Sequence, residues 1–127
     1  MNVHFTIYGN PITKKNSQRI ITNPKTLRPM IMPSSQYKDY EKDAMSQIVY
    51  GGEPINVPVT VTCRYYMQTK RACDLTNLLE ATDDILVKRR VLADDNYRII
   101  ASHDGSRVYT DKQNPRVEIS IKEYREV

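Results

Sequence analysis

The sequence predicts an α+β fold: a single domain over residues 1–127, with a mixed β-sheet and two main helices packed on it. Three observations carry this. Short segments alternating apolar and polar residues recur near both ends and in the middle of the chain, marking strands. Between them lie two segments with apolar residues at helical spacing. The length of 127 residues supports one core and would leave each of two halves with a marginal one.

Val3-His4-Phe5-Thr6-Ile7-Tyr8 alternates and runs into Gly9-Asn10-Pro11, a strand entering a turn. The polar, basic stretch from Lys14 to Pro33 has β-prone pieces at Arg19-Ile20-Ile21-Thr22 and Met30-Ile31-Met32, punctuated by Asn23-Pro24 and Arg28-Pro29. It is expected to form a loose, mobile hairpin or loop. Ser34 or Ser35 is placed to cap a helix over about 36–50, with Tyr37, Tyr40, Ala44, Met45 and Ile48 inward and Gly51-Gly52 as its stop. Over 57–67, Val57, Val59, Val61 and Cys63 alternate with Pro58, Thr60, Thr62 and Arg64, the clearest strand. Asp74 caps a second helix over about 75–88, with Leu75, Leu78, Leu79, Ile85 and Leu86 facing the core. A strand around 97–103, a turn at Asp104-Gly105 and a last strand over 116–123 complete the order.

Hydrophobic residues make up 39% and charged residues 27%, a globular rather than a disordered composition. No apolar run approaches the roughly 18 residues of a bilayer span. The opening MNVHFTIYGNP has no secretory pattern. Cys63 and Cys73 are too scattered for a zinc site or a disulfide framework, so reduced thiols in a cytoplasmic protein are expected. The net charge is +4, and it is unevenly spread. Residues 1–38 contain Lys14, Lys15, Arg19, Lys25, Arg28 and Lys38 and no acidic residue, whereas Asp74, Glu80, Asp83, Asp84, Asp94 and Asp95 gather within 74–95. Cations that hold phosphates and carboxylates that hold a metal ion are the two requirements of a metal-dependent nuclease. A solvated acidic helix face beside an unrelated basic arm is the plainer alternative.

The chemistry concentrates in the segments 74–86 and 91–96. Asn77 and Asp84 are two helical turns apart and share a face; Glu80 is one turn from both Thr76 and Asp84. Asp74 sits where the helix dipole favours an anion. Asp83 is expected to face solvent, and the isolated His4 and His103 read as structural. A chain reversal after Lys88-Arg89-Arg90 would bring Asp94-Asp95 back toward the helix start. Three or four carboxylates gathered this way suit one or two hard cations such as Mg²⁺, which activate water for phosphodiester cleavage. Taken singly, Asp74 reads as a helix cap before a ligand and Asp94-Asp95-Asn96 as a turn, while Lys88-Arg89-Arg90 fits a solvated loop as well as a DNA contact.

The string Asp74-Leu75-x-Asn77-Leu78-Leu79, with Asp84 and with Asp95 in Asp-Asp-Asn, resembles the signature of the RusA family of Holliday junction resolvases. Gly9-Asn10-Pro11 followed by Lys14-Lys15-Asn16 is similar to that family's first strand and basic turn, so the likeness runs over most of the chain. The resemblance implies a small homodimer, of a kind common in phages and prophages. It would cut four-way or branched DNA by paired symmetric nicks with Mg²⁺ or Mn²⁺, in recombination and repair. It maps Asp74 and Asp95 onto metal-binding aspartates, Asp95 rather than Asp94, and Asp84 onto another acidic position of the same helix. Two positions depart from the family pattern: Thr76 stands where a second Asp is usual, and Glu80 where a catalytic Lys is usual. Glu80, one turn from Thr76, becomes the replacement ligand, with Lys70 or Arg71 supplying the missing positive charge. Lys14, Lys15 and Arg19 are the expected phosphate binders, with Lys70, Arg71 and Arg89 flanking the acidic cluster. The same departures also fit a junction-binding protein of this fold with weak or lost cleavage.

Overall fold

The computed structural model describes residues 1–14 and 18–126. These form strands β1 (Asn2–Tyr8), β2 (Gln18–Thr22), β3 (Pro29–Pro33), β4 (Val59–Met67), β5 (Ile100–Ser102), β6 (Arg107–Thr110) and β7 (Arg116–Glu123), with helices α1 (Ser35–Gln47) and α2 (Leu75–Lys88).

Strand β4 is the axis of the sheet. Along one side it pairs antiparallel with β7, which pairs antiparallel with β1. Along the other side β5 and β6 lie end to end, both parallel to β4. The break between them is bridged by a side chain: the Cys63 N–H donates to Ser106 Oγ at 3.0 Å. The connecting turn is tight, with Ser106 N–H donating to the His103 carbonyl at 3.1 Å and Gly105 at φ 84°. Thr62 Oγ1 donates to the Asp104 carbonyl at 2.7 Å, and a Cβ on Gly105 would meet Thr62 Cγ2 at 3.3 Å. The turn foreseen at Asp104-Gly105 is therefore riveted to β4, and it fixes the backbone of His103.

Alternation decides which face is core. Val59, Val61, Cys63 and Tyr65 of β4, Val117, Ile119 and Ile121 of β7, and Ile7 of β1 are all buried. Ala44 and Ile48, at the end of α1, and Leu78, Ile85 and Leu86 of α2 pack into the same cluster. The opposite sheet face is open and polar, bearing His4, Thr6, Thr62, Arg64, Glu118 and Ser120. This is the α+β arrangement with a mixed sheet that the patterning implies.

The differences from the sequence expectation have local causes. Ser34 does cap α1, accepting from the Tyr37 N–H at 3.1 Å. The helix ends at Gln47 instead of near Tyr50, before Gly51-Gly52 is reached. Ile48 turns to extended backbone and buries its side chain, while the Gln47 amide bonds both the N–H (2.8 Å) and the carbonyl (3.0 Å) of Tyr8. The strand expected over 97–103 shrinks to β5, because the Asn96 carbonyl accepts from both Ile99 and Ile100 and curls the preceding residues. Strand β6 was not foreseen. The basic stretch is a two-stranded ribbon, β2 antiparallel to β3 with Ile20 opposite Ile31. Its tip is closed by the Asn23 and Leu27 N–H groups donating to the Arg28 and Asn23 carbonyls. Lys15 lies outside the described residues, as does the side chain of Arg19. Cys63 and Cys73 are both free thiols. Among the described residues no helix is long and apolar enough to cross a membrane.

Candidate active site

Helix α2 carries the site, and its 100° rotation per residue sorts the acidic side chains onto two stripes. Thr76, Glu80 and Asp83 follow one stripe and form one wall of an open cleft of about 270 Å³, with Asp95 and His103 also lining it. Asn77 and Asp84 follow the other stripe, toward the basic turn: Lys14 Nζ reaches Asp84 Oδ2 at 2.5 Å and lies 5.8 Å from the centre of the Tyr37 ring. Burial, followed by the neighbouring Glu41 charge, pushes the Tyr37 hydroxyl far above its ordinary range. It remains a neutral donor beside Glu41, at 3.3 Å.

Asp83 corrects the expectation that it faces solvent: it is only 8% exposed. The helical phase explains this, since Asp83 is seven residues beyond Thr76 and three beyond Glu80, on the stripe turned toward the end of β5. His103 meets it there. Its Nε2 lies within hydrogen-bond distance of both carboxylate oxygens, at 3.1 and 2.9 Å. His103 is thus neither isolated nor a plain core residue. Burial raises Asp83 above the usual carboxylate range, and the His103 hydrogen bond pulls it partly back. Neither residue belongs to the recognisable string. A signal existed only in the stripe spacing Thr76–Glu80–Asp83, and reading it required knowing which side of the helix opens.

Asp94 and Asp95 part company in their loop. The Asp94 carboxylate accepts from the Asp95 N–H at 2.7 Å and from Asn96 Nδ2 at 3.1 Å, so it is spent on shaping the turn. Asp95 lines the cleft. Desolvation, the hydrogen bond with Asp94 and the charges of Asp84 and Asp94 all raise it. Asp74, the exposed N-cap of α2, makes no capping bond with its side chain and instead accepts from Asn77 Nδ2 at 3.3 Å.

Among the described residues, no three His, Cys, Asp or Glu side chains converge closely enough to hold an ion. The donor chemistry still fits a hard cation. Carboxylates gathered at one open cleft are relieved by a positive ion, and Mg²⁺ typically uses one or two carboxylates with water and phosphate oxygens.

The cations of the predicted site lie outside this cleft. Lys70 and Arg71 are exposed just before Asp74. Arg71 also lines a second cleft, of about 480 Å³, with Asn10, Thr13, Gln36 and Cys73, which joins the N-terminal turn to the start of α2. At the far end of α2, roughly 20 Å away by helical rise, Lys88 binds both Glu41 oxygens at 3.0 Å and ties α2 to α1. Arg89 and Arg90 line a separate hollow with Gly51, Gly52 and Glu53.

Two comparisons with known proteins bear on this arrangement. A search of curated proteins found no match. The family model described as endodeoxyribonuclease RusA matches residues 8–122, from the end of β1 to near the end of β7.

Proposed function

The chain belongs to the RusA endodeoxyribonuclease family, and from that premise we propose that it is a Mg²⁺- or Mn²⁺-dependent endonuclease that resolves four-way DNA junctions by paired symmetric nicks in recombination and repair. The observation carrying this is the cleft in which Asp95 joins the Thr76–Glu80–Asp83 stripe, on the helix whose Asp84 pairs with Lys14.

Asp74, Asp84 and Asp95 are the proposed metal-binding carboxylates, with Glu80 replacing the acidic group that Thr76 does not provide. The bound cation would supply an acidified water and charge stabilisation at the leaving oxygen. The chain's own residues hold the phosphodiester: Lys14, Lys15, Arg19, Lys70 and Arg71 contact backbone phosphates near the cut, and Arg89 reaches DNA farther along. Such contacts fix position and shape rather than sequence. The proposed assembly is a homodimer, because two sites related by a two-fold axis match the symmetry of the junction and of its paired cuts.

The direct test is cleavage of a labelled synthetic four-way junction in Mg²⁺, compared with a flap and a linear duplex. Paired nicks at symmetric positions in the junction alone are expected. Equal cutting of the flap would replace the resolvase by a less selective branched-DNA nuclease. Thr76 and Glu80 favour a second reading, a junction-binding protein with lost cleavage, and tight binding without nicks in either cation would select it.

A further inference from the structure

We propose that His103, oriented by Asp83, is the proton-transfer residue of this site, taking a proton from the water that attacks the phosphodiester. The role presupposes the endonuclease activity proposed above and adds to it a residue pair outside the family string.

The geometry begins with the pair itself. Toward an ionised carboxylate, which has only acceptors, an imidazole nitrogen serves as the donor. With Nε2 3.1 and 2.9 Å from the two oxygens of Asp83, Nδ1 is the ring nitrogen left outside that contact. A base held in one tautomer and one orientation by a carboxylate is the arrangement on which nucleophile activation depends. The two ends of the pair differ in access: the His103 side chain is 30% exposed and that of Asp83 is 11%. Both side chains line the cleft, and the imidazole is the more exposed of the two.

The backbone beneath His103 is equally constrained. It occupies the first position of the tight turn that Thr62 and Ser106 fasten to β4, so the ring is carried by the sheet and not by a loose loop. Stability is a poor reason for the pair, since burying a carboxylate is costly and a buried ion pair seldom outperforms an apolar one. The other side chains lining the cleft are Thr76, Leu79, Glu80, Asp83 and Asp95. Lys14 is engaged with Asp84 on the other stripe of α2. Imidazole is the best-suited general base in this set.

In the proposed step the water oxygen bonds to phosphorus as one water proton passes to Nδ1. The bond from phosphorus to the leaving sugar oxygen breaks, its electron pair stays on that oxygen, and solvent supplies a proton there. His103 then returns its own proton to solvent.

The test is single-turnover cleavage of a four-way junction by wild type, His103→Ala and Asp83→Asn, with His103→Gln as a variant that keeps the side-chain volume. Junction affinity by gel shift and Mn²⁺ affinity by electron paramagnetic resonance of the free ion are measured in parallel. Loss of rate by about 10²–10⁴-fold is expected for both His103 variants, a smaller loss for Asp83→Asn, and both affinities within about twofold of wild type. Added imidazoles should restore His103→Ala at rates that rise with their basicity, which filling a structural gap would not produce. Wild-type rates in both His103 variants would overturn the proposal alone. Rescue independent of basicity, or lost Mn²⁺ binding, would make His103 a packing residue or a ligand and also overturn it. An inert wild type in Mg²⁺ and Mn²⁺ would remove the endonuclease activity and this role together.

Discussion

Lys14 and Asp84 form a partly exposed ion pair, and at the metal site proposed above the lysine would compete with the cation for that carboxylate. Pairs of this exposure are worth about 0.2–1 kcal/mol. Lys14→Ala should therefore tighten Mn²⁺ binding by up to about fivefold while weakening junction binding, both measurable by titration. Weaker Mn²⁺ binding would show that Lys14 organises the site. Glu80 gives a sharper test, because it lines the cleft beside Asp95. Glu80→Gln should lower Mn²⁺ affinity and cleavage together, by about tenfold or more if one charged ligand is lost. Unchanged cleavage would dismiss it as a ligand. The acidic string could be read from sequence because its spacing is local to one helix and one loop. Asp83 and His103 could not, since their pairing spans 20 residues and depends on which stripe of α2 faces β5. The sequence equally could not show that Asp94 is consumed by its own turn, leaving Asp95 to the cleft.

The turn between β5 and β6 links the stability of an element to the position of a side chain. Gly105 has positive φ and Thr62 packed 3.3 Å from where a Cβ would stand. Gly105→Val should cost about 1–3 kcal/mol, seen as a lowered midpoint in thermal or urea unfolding, and should slow cleavage in conditions where the protein is still folded. An unchanged midpoint would mean that the turn is not under this constraint. The β2–β3 ribbon makes a different kind of contribution. Lys25 and Arg28 lie near its tip without an acidic neighbour in the first 38 residues. If both meet phosphates, K25Q/R28Q should flatten the slope of log affinity against log salt by about 1.8, and an unchanged slope would free the ribbon from DNA contact. Strands β1, β4 and β7 were readable because alternation over seven or more residues outweighs local noise. Strand β6, four residues long, is fixed by what it meets in space: Tyr109 lies opposite Tyr66 in register, their rings stacked at 5.1 Å, with Arg116 over Tyr66 at 3.9 Å. No periodicity announces such a partner.

The whole molecule places its carboxylate cleft beside one edge of the helical layer and leaves the outer face of the sheet polar and open. The patterning conveyed the layer architecture, but the parallel pairing of β5 and β6 with β4 is a long-range choice that short apolar runs cannot encode. A symmetric junction cut twice calls for two such molecules, so sedimentation should find a species of twice the 14.8 kDa chain mass, and a strict monomer on DNA would contradict paired nicking. Everything then converges on Asp95, which removes a charge but little volume when changed to Asn. Wild type and Asp95→Asn should be compared on one labelled four-way junction with Mg²⁺, scoring cleavage and binding together. Symmetric nicks that vanish in the variant while the junction is still bound are the expected result; an Asp95→Asn protein that cuts as well as wild type would contradict the metal-dependent site proposed above.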